Sequence, residues 1–345
     1  MKKIAVVMII LLIAFGIVLS IPPKNDPIIE NETNHAQDQA ENMENRASSF
    51  IAEGSFFQWM GASAEELIAS IGEPIRRDPS GYGYEWWVFQ MEDHQYVQYG
   101  IMEGQVITGV TFSPQSKDAP FNVGQAYSKI NQKFPFKQEM NLKSEGSYTM
   151  QLTEEDLQMR PLVPLEEGWT AQLYFDTVTK KLSAIRVMRN DVLLKLQPYK
   201  VVYQGQLPEQ PVLSEEEWDA VEAGSEKQIL AFTNILRNRS SVNAVQLNED
   251  ASKAAFLHSK DMKENEYFSH FSPSGDGLKE RLKKEDIQYR SAGENIAAQY
   301  VDAAAAVQGW LNSSGHRKTL LSERYTHIGI GVYHRYYTQD FISLP

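Results

Sequence analysis

The sequence predicts an α+β protein in two globular parts placed behind an N-terminal apolar segment. Three observations carry this. Residues 4–21 form an apolar run without a charge. Residues 56–205 alternate helix-like and strand-like periodicities, and residues 226–345 open on amphipathic helices and close on an alternating strand. At 345 residues the chain exceeds what one core of ordinary size would hold, which favours two cores.

The first element is the segment 1–21. Lys2 and Lys3 precede the apolar run, whose length is near the minimum for a helix that crosses a bilayer. The two lysines favour a cytoplasmic N-terminus, with the remainder of the chain outside. An uncleaved single-pass anchor is favoured over a signal sequence cleaved after about Ser20, because Val18-Leu19-Ser20 is a poor small-x-small site. Both readings export the C-terminal part, and the first makes the membrane a partner. Residues 22–55 hold seven acids against Lys24 and Arg46 and have almost no apolar periodicity, so they read as a flexible acidic stalk.

Composition excludes several chemistries. With no cysteine there is no disulfide, no thiolate metal site and no cysteine nucleophile. The net charge is -12 and no basic stripe is present, which argues against a nucleic-acid partner.

In 56–205, Ser63 and Glu66 form a capping box ahead of Leu67, Ile68 and Ile71, and Gly72-Glu73-Pro74 stops that helix. Strands are predicted over 84–90, 95–102 and 106–112, with Glu103-Gly104 as the tight turn between the last two. A second such unit follows: a helix capped by Asn122, then strands over 148–152, 169–176 and 182–188. The expectation is a tandem helix-plus-strands domain. The aromatic residues of 82–87 read as sheet-packing core in preference to a binding face. Prolines and an acidic run mark 206–225 as the interdomain linker.

The C-terminal part, 226–345, begins with an amphipathic helix carrying Ile229, Leu230, Phe232 and Leu236. On the next helix, about 248–265, His258 falls on the inward face, away from Lys253, Lys260 and Lys263. A lone histidine there is ordinarily a core residue; further polar groups change the weighting. Glu294 sits between Gly293 and Asn295 in an apolar stretch. In the strand 325–332, Ile328, Ile330 and Val332 share the buried face. His327 shares the other with Gly329 and Gly331, and is expected to stand over an open concave surface. Ser269, Ser272 and His270 read as turn chemistry and not as a Ser-His pair, since no nucleophile elbow accompanies them.

The ordered segments His258 to Met262, Tyr267 to His270, Ala292 to Ile296, Trp310 to Arg317 and Tyr325 to Gly329 resemble the successive motifs of the CAP superfamily, the cysteine-rich secretory, antigen 5 and pathogenesis-related proteins. The resemblance implies a C-terminal α-β-α sandwich. Gly72-Glu73-Pro74, the 82–87 aromatics and the 100–110 hairpin resemble the domain found N-terminal to bacterial CAP domains.

The resemblance also implies a cleft with two His and two Glu, which in some members binds a divalent metal. His258 matches the first His, Glu294 the first Glu and His327 the second His. Ser313 stands where the second Glu would be, with His316 nearby. Arg317 is assigned either to a salt bridge at the rim or to ligand contact. Two imidazoles and one carboxylate would suit zinc with an open position for water. The favoured function is a cell-envelope binding module taking a peptide, lipid or glycan fragment. The alternative is a metal-dependent hydrolase using the same cleft.

Overall fold

The Ser63–Glu66 capping box forms as expected: the Glu66 N–H donates to Ser63 Oγ at 3.2 Å, and Glu66 Oε2 accepts from the Ser63 N–H at 2.9 Å. It starts α1 (Ala64–Ile71), which ends at Gly72 with φ 85°, a conformation that favours glycine. The computed structural model describes residues 56–90, 96–115, 119–144 and 146–345. The expected anchor and stalk, residues 1–55, lie outside the described residues. Among the described residues no helix is long and apolar enough to cross a membrane.

Strands β1 (Arg76–Pro79), β2 (Glu85–Gln90), β3 (Tyr96–Met102) and β4 (Gln105–Thr111) follow α1. The Glu103-Gly104 turn, with φ 51° and 73°, joins β3 to β4 as expected. Next come α2 (Tyr127–Lys133), β5 (Glu139–Ser144), β6 (Gly146–Gln151), α3 (Glu154–Met159), β7 (Leu162–Pro164), β8 (Trp169–Asp176), β9 (Lys181–Arg189), α4 (Asn190–Leu196) and β10 (Lys200–Gln204). Asn122 does not cap α2. Its side chain is taken by Gln115, donating to that carbonyl at 2.7 Å, and the helix starts after Ala126.

The two helix-plus-strands units are not separate. They fuse into one seven-stranded sheet of order β1-β2-β3-β4-β9-β8-β7, joined where β4 pairs antiparallel with β9. Either unit alone would leave β4 or β9 as an open edge, and the pairing removes both edges. Strands β10, β6 and β5 form a second, three-stranded sheet.

The C-terminal part contains α5 (Glu215–Arg239), β11 (Gln246–Leu247), α6 (Glu249–Glu264), α7 (Leu278–Lys284), β12 (Ser291–Ala298), α8 (Ala303–Asn312), α9 (Ser314–Leu320), β13 (His327–Tyr333) and β14 (Tyr336–Ser343). Its sheet has the order β11-β13-β14-β12. Helices α5 and α8 pack on one face through Ile229, Phe232, Val307 and Trp310 against Ile328, Ile330 and Phe341. Helix α6 covers the other.

The acidic stretch expected to be linker is half helix. Ser214 and Glu217 form a second capping box, and Glu215, Glu216 and Glu217 lie in the first turn of α5, where the helix dipole favours them. This helix also docks on the N-terminal part. At Gly224 a Cβ would sit 2.7 Å from Asp78 Cβ, so only glycine allows this approach to β1. Phe232 stacks on Phe112 at 4.2 Å, and Gln228 donates to Asp78 at 3.0 Å. Buried ion pairs add to the contact. Arg186 Nη2 meets both Asp302 oxygens at 2.7 and 2.5 Å, and Arg317 takes Asp176 with two bonds of 2.9 and 2.8 Å. Arg317 therefore joins the two parts.

Candidate functional site

Glu294 is the centre of the site. It lies on β12 directly opposite Asp340 of β14, which in turn is opposite Gly329 of β13, so all three face α6. Its carboxylate is nearly buried. Oε1 is 2.7 Å from His270 Nδ1, and Oε2 accepts from Arg281 Nη2. Burial pushes the Glu294 carboxyl up, but the His270 hydrogen bond and the Arg281 charge outweigh it and hold the carboxyl below its usual range. Asp340 has no such partner. Burial, the adjacent Glu294 charge and a hydrogen bond with Glu294 push its carboxyl well above the ordinary carboxylate range, which favours its protonated form.

Local structure sets these positions. The loop after α6 turns at Ser272 to Asp276, where Ser272 Oγ accepts the Asp276 N–H at 3.0 Å. Arg281 on α7 donates to the carbonyls of His270 and Asp276 at 3.1 and 3.2 Å, and so fastens that loop beside Glu294. His258, on the inward face of α6, is 1% exposed, with Nε2 at 3.9 Å from Glu294 Oε2, beyond hydrogen-bond distance. Burial lowers it to about 4, which keeps it neutral. His316 on α9 faces His270 with ring centroids 6.4 Å apart, and burial together with the His270 charge lowers it to about 4. His270, with 44% of its side chain exposed, is the open member of the cluster.

The sequence candidates divide accordingly. His258 and Glu294 come together, and His316 lies beside the His270 that contacts Glu294. Ser313 is the junction between α8 and α9 and makes no side-chain cap bond. His327 is elsewhere. It pairs with Gln246 of β11, and its Nδ1 contacts Thr326 Oγ1 at 2.9 Å. It lies two strands and two register positions from Glu294, about 10 Å or more away.

The surface next to His327 is not open either. At Gly329 a Cβ would lie 2.1 Å from the Ala251 backbone, and at Gly331 it would lie 1.9 Å from Phe256 N. Those glycines admit the backbone of α6, and strand alternation alone cannot distinguish a close-packed helix from an open cleft. His327 is therefore not brought into contact with His258 and Glu294. Among the described residues, no group of three or more His, Cys, Asp or Glu has the geometry to hold a metal.

His270 is the residue that sequence reasoning set aside. Its signal was the turn chemistry of 269–277, read as punctuation; the same turn brings the ring back over β12.

Helices on both faces of a small sheet, with a His-Glu cluster at one end of α6, define a CAP-type domain. Residues 230–344 match the cysteine-rich secretory protein family and residues 60–199 match the CAP-associated N-terminal family. The chain belongs to the cysteine-rich secretory protein family and carries the CAP-associated N-terminal domain. It is 40% identical over 350 residues to the Bacillus subtilis (strain 168) protein named "Uncharacterized membrane protein YlbC", covering 99% of each chain. It is 38% identical to the solved structure of an extracellular SCP-domain protein from Bacillus anthracis, with TM-score 0.79 over 92% of this chain and 100% of that one. A cysteine-rich secretory protein from Staphylococcus aureus shares the fold at 21% identity and TM-score 0.76, covering 86% of this chain and 96% of that one.

Proposed function

We propose that this protein is an extracytoplasmic binding module, held at the membrane by residues 1–21, whose ligand enters between His270 and His316. The observation that carries the reading is the state of Glu294. Both of its oxygens are engaged by His270 and Arg281, so it serves as the anchored floor of a cleft and not as a free base. The neutral His316 ring and the exposed His270 edge then offer hydrogen bonds to a polar ligand such as a peptide segment or glycan fragment. The test follows the imidazole NMR signals of His270 and His316 while peptide and glycan panels are added. Selective shifts that disappear in His316→Ala support the reading; a folded protein with no shift from any panel overturns it.

A second reading rests on the His270–Glu294 contact. If Nδ1–H donates to Glu294, Nε2 is left as a base, which is the orientation a hydrolytic histidine needs. Turnover of ester or peptide substrates that is lost in His270→Gln would favour it over simple binding.

A further inference from the structure

Between the turn 79–84, the first half of α5 and the β13–β14 hairpin lies a narrow cleft of about 100 Å³ that opens to solvent. Both parts of the chain contribute to it. It lies on the α5 side of the C-terminal sheet, where Gln339 bonds Thr233, whereas Glu294 and Asp340 face α6. It is therefore separate from the His-Glu cluster and does not depend on the function proposed for that cluster. We infer that this interdomain cleft is a binding site for a neutral saccharide.

The walls are aromatic. Tyr82 and Tyr84 stack at 6.5 Å, Trp86 meets Tyr84 edge-on at 5.0 Å, and Trp218 closes the α5 side, stacked on His334 at 4.7 Å. Tyr82, Tyr84 and Trp86 are buried and form the floor, while the partly exposed Trp218 offers a face to the C–H side of a sugar ring; ligand clefts recur at domain interfaces. Polar groups with unused capacity converge among them. The Tyr84 hydroxyl is buried without a hydrogen-bond partner, which in a native fold requires a reason. Tyr82 accepts from Arg335 Nη1 at 3.2 Å and keeps its own proton to donate. Glu222 accepts the His334 N–H at 2.8 Å through one oxygen and keeps the other.

Charge decides the class of ligand. Asp302 is paired with Arg186, so it has no charge to give a cation. Burial pushes the Glu222 carboxyl up to about 7, so the cleft floor is not a fixed anion. Arg335 brings one positive charge to the hairpin side of the cleft, but Glu215, Glu216, Glu217 and Asp219 at the adjoining start of α5 outnumber it and disfavour anions. What remains is a ligand without net charge that both donates and accepts hydrogen bonds and has apolar faces.

The test titrates the full-length protein with chitotetraose and cellotetraose at pH 7, following tryptophan fluorescence and calorimetry, with tetragalacturonate as the anionic control. Saturable binding of a neutral oligosaccharide is expected, weakened about tenfold in Trp218→Ala and about fivefold in Tyr84→Phe. Tyr84→Phe removes a single oxygen and keeps the packing, so it stays informative if Trp218→Ala unfolds. The inference is overturned by no binding of either neutral sugar at millimolar concentration, or by equal binding of tetragalacturonate. It is equally overturned by sugar binding that survives Trp218→Ala and Tyr84→Phe but is lost in His316→Ala, which would place the sugar in the other cleft.

Discussion

At the interdomain contact, two buried carboxylates each face their own guanidinium: Asp302 faces Arg186, and Asp176 faces Arg317. Beneath α6 the ratio is reversed. Glu294 and Asp340 lie side by side with Arg281 as the one guanidinium among the described residues that reaches them, and of the two acids Arg281 bonds Glu294. The first arrangement neutralises each charge locally and fixes how the two parts sit. The second pushes one acid toward its protonated form and positions a histidine pair at an opening. Matched pairs serve assembly here, and the surplus of acids marks the place where a ligand is expected.

The largest effect is expected in the close packing that both regions depend on. Gly331→Ala puts a methyl group against backbone of α6 that cannot move aside as a side chain could. A loss of about 4 kcal/mol or more is expected in denaturant unfolding, enough to prevent the C-terminal part from folding stably. Next is Arg186→Met, which leaves the largely covered Asp302 carboxylate without its guanidinium and should cost about 3 kcal/mol. The double change Arg186→Met with Asp302→Asn, which keeps the acceptor that caps α8, should recover most of it; a double variant as unstable as the single one breaks the matched-pair account.

On the α6 side, Glu294→Gln leaves Arg281 without its carboxylate and should cost about 2 kcal/mol while releasing His270, read from its imidazole NMR signal. Glu222 and Glu226 on α5 supply a pH test. Each accepts a backbone N–H of the β13–β14 hairpin, and burial raises each to about 7. A carboxyl raised in the folded state gives stability that is present below its unfolded pKa of about 4.3 and is lost as pH rises through 7. The melting temperature should fall by a few degrees between pH 5 and pH 8, and Glu222→Gln with Glu226→Gln should flatten that slope. The smallest effect is expected for Asp340→Asn. It replaces an acid whose neutral form burial favours and should change stability by less than about 1 kcal/mol. A large destabilisation there would mean that Asp340 is ionised, and the contrast between the two clusters would fail.

Much of the fold is legible in the chain. The Ser63 capping box, the Glu103-Gly104 hairpin turn and strand β8 over Trp169–Asp176 sit where local chemistry puts them. The inward position of His258 follows from helical spacing alone. The fusion of the two N-terminal units through β4 and β9 was not legible, because strand pairing across 70 or more residues leaves no local mark. Nor was the continuity of α5, since an acidic run reads the same in a solvated linker as in the first turns of a helix.

The sequence by itself determined the family and part of the order of elements, and it pointed to Glu294 as a candidate site carboxylate. Only the tertiary structure decided its partners. It excluded His327 and brought in His270, because a two-residue period says which face a side chain takes but not what covers that face. Here the two glycines of β13 are covered by the backbone of α6, and the turn after that helix carries His270 to Glu294.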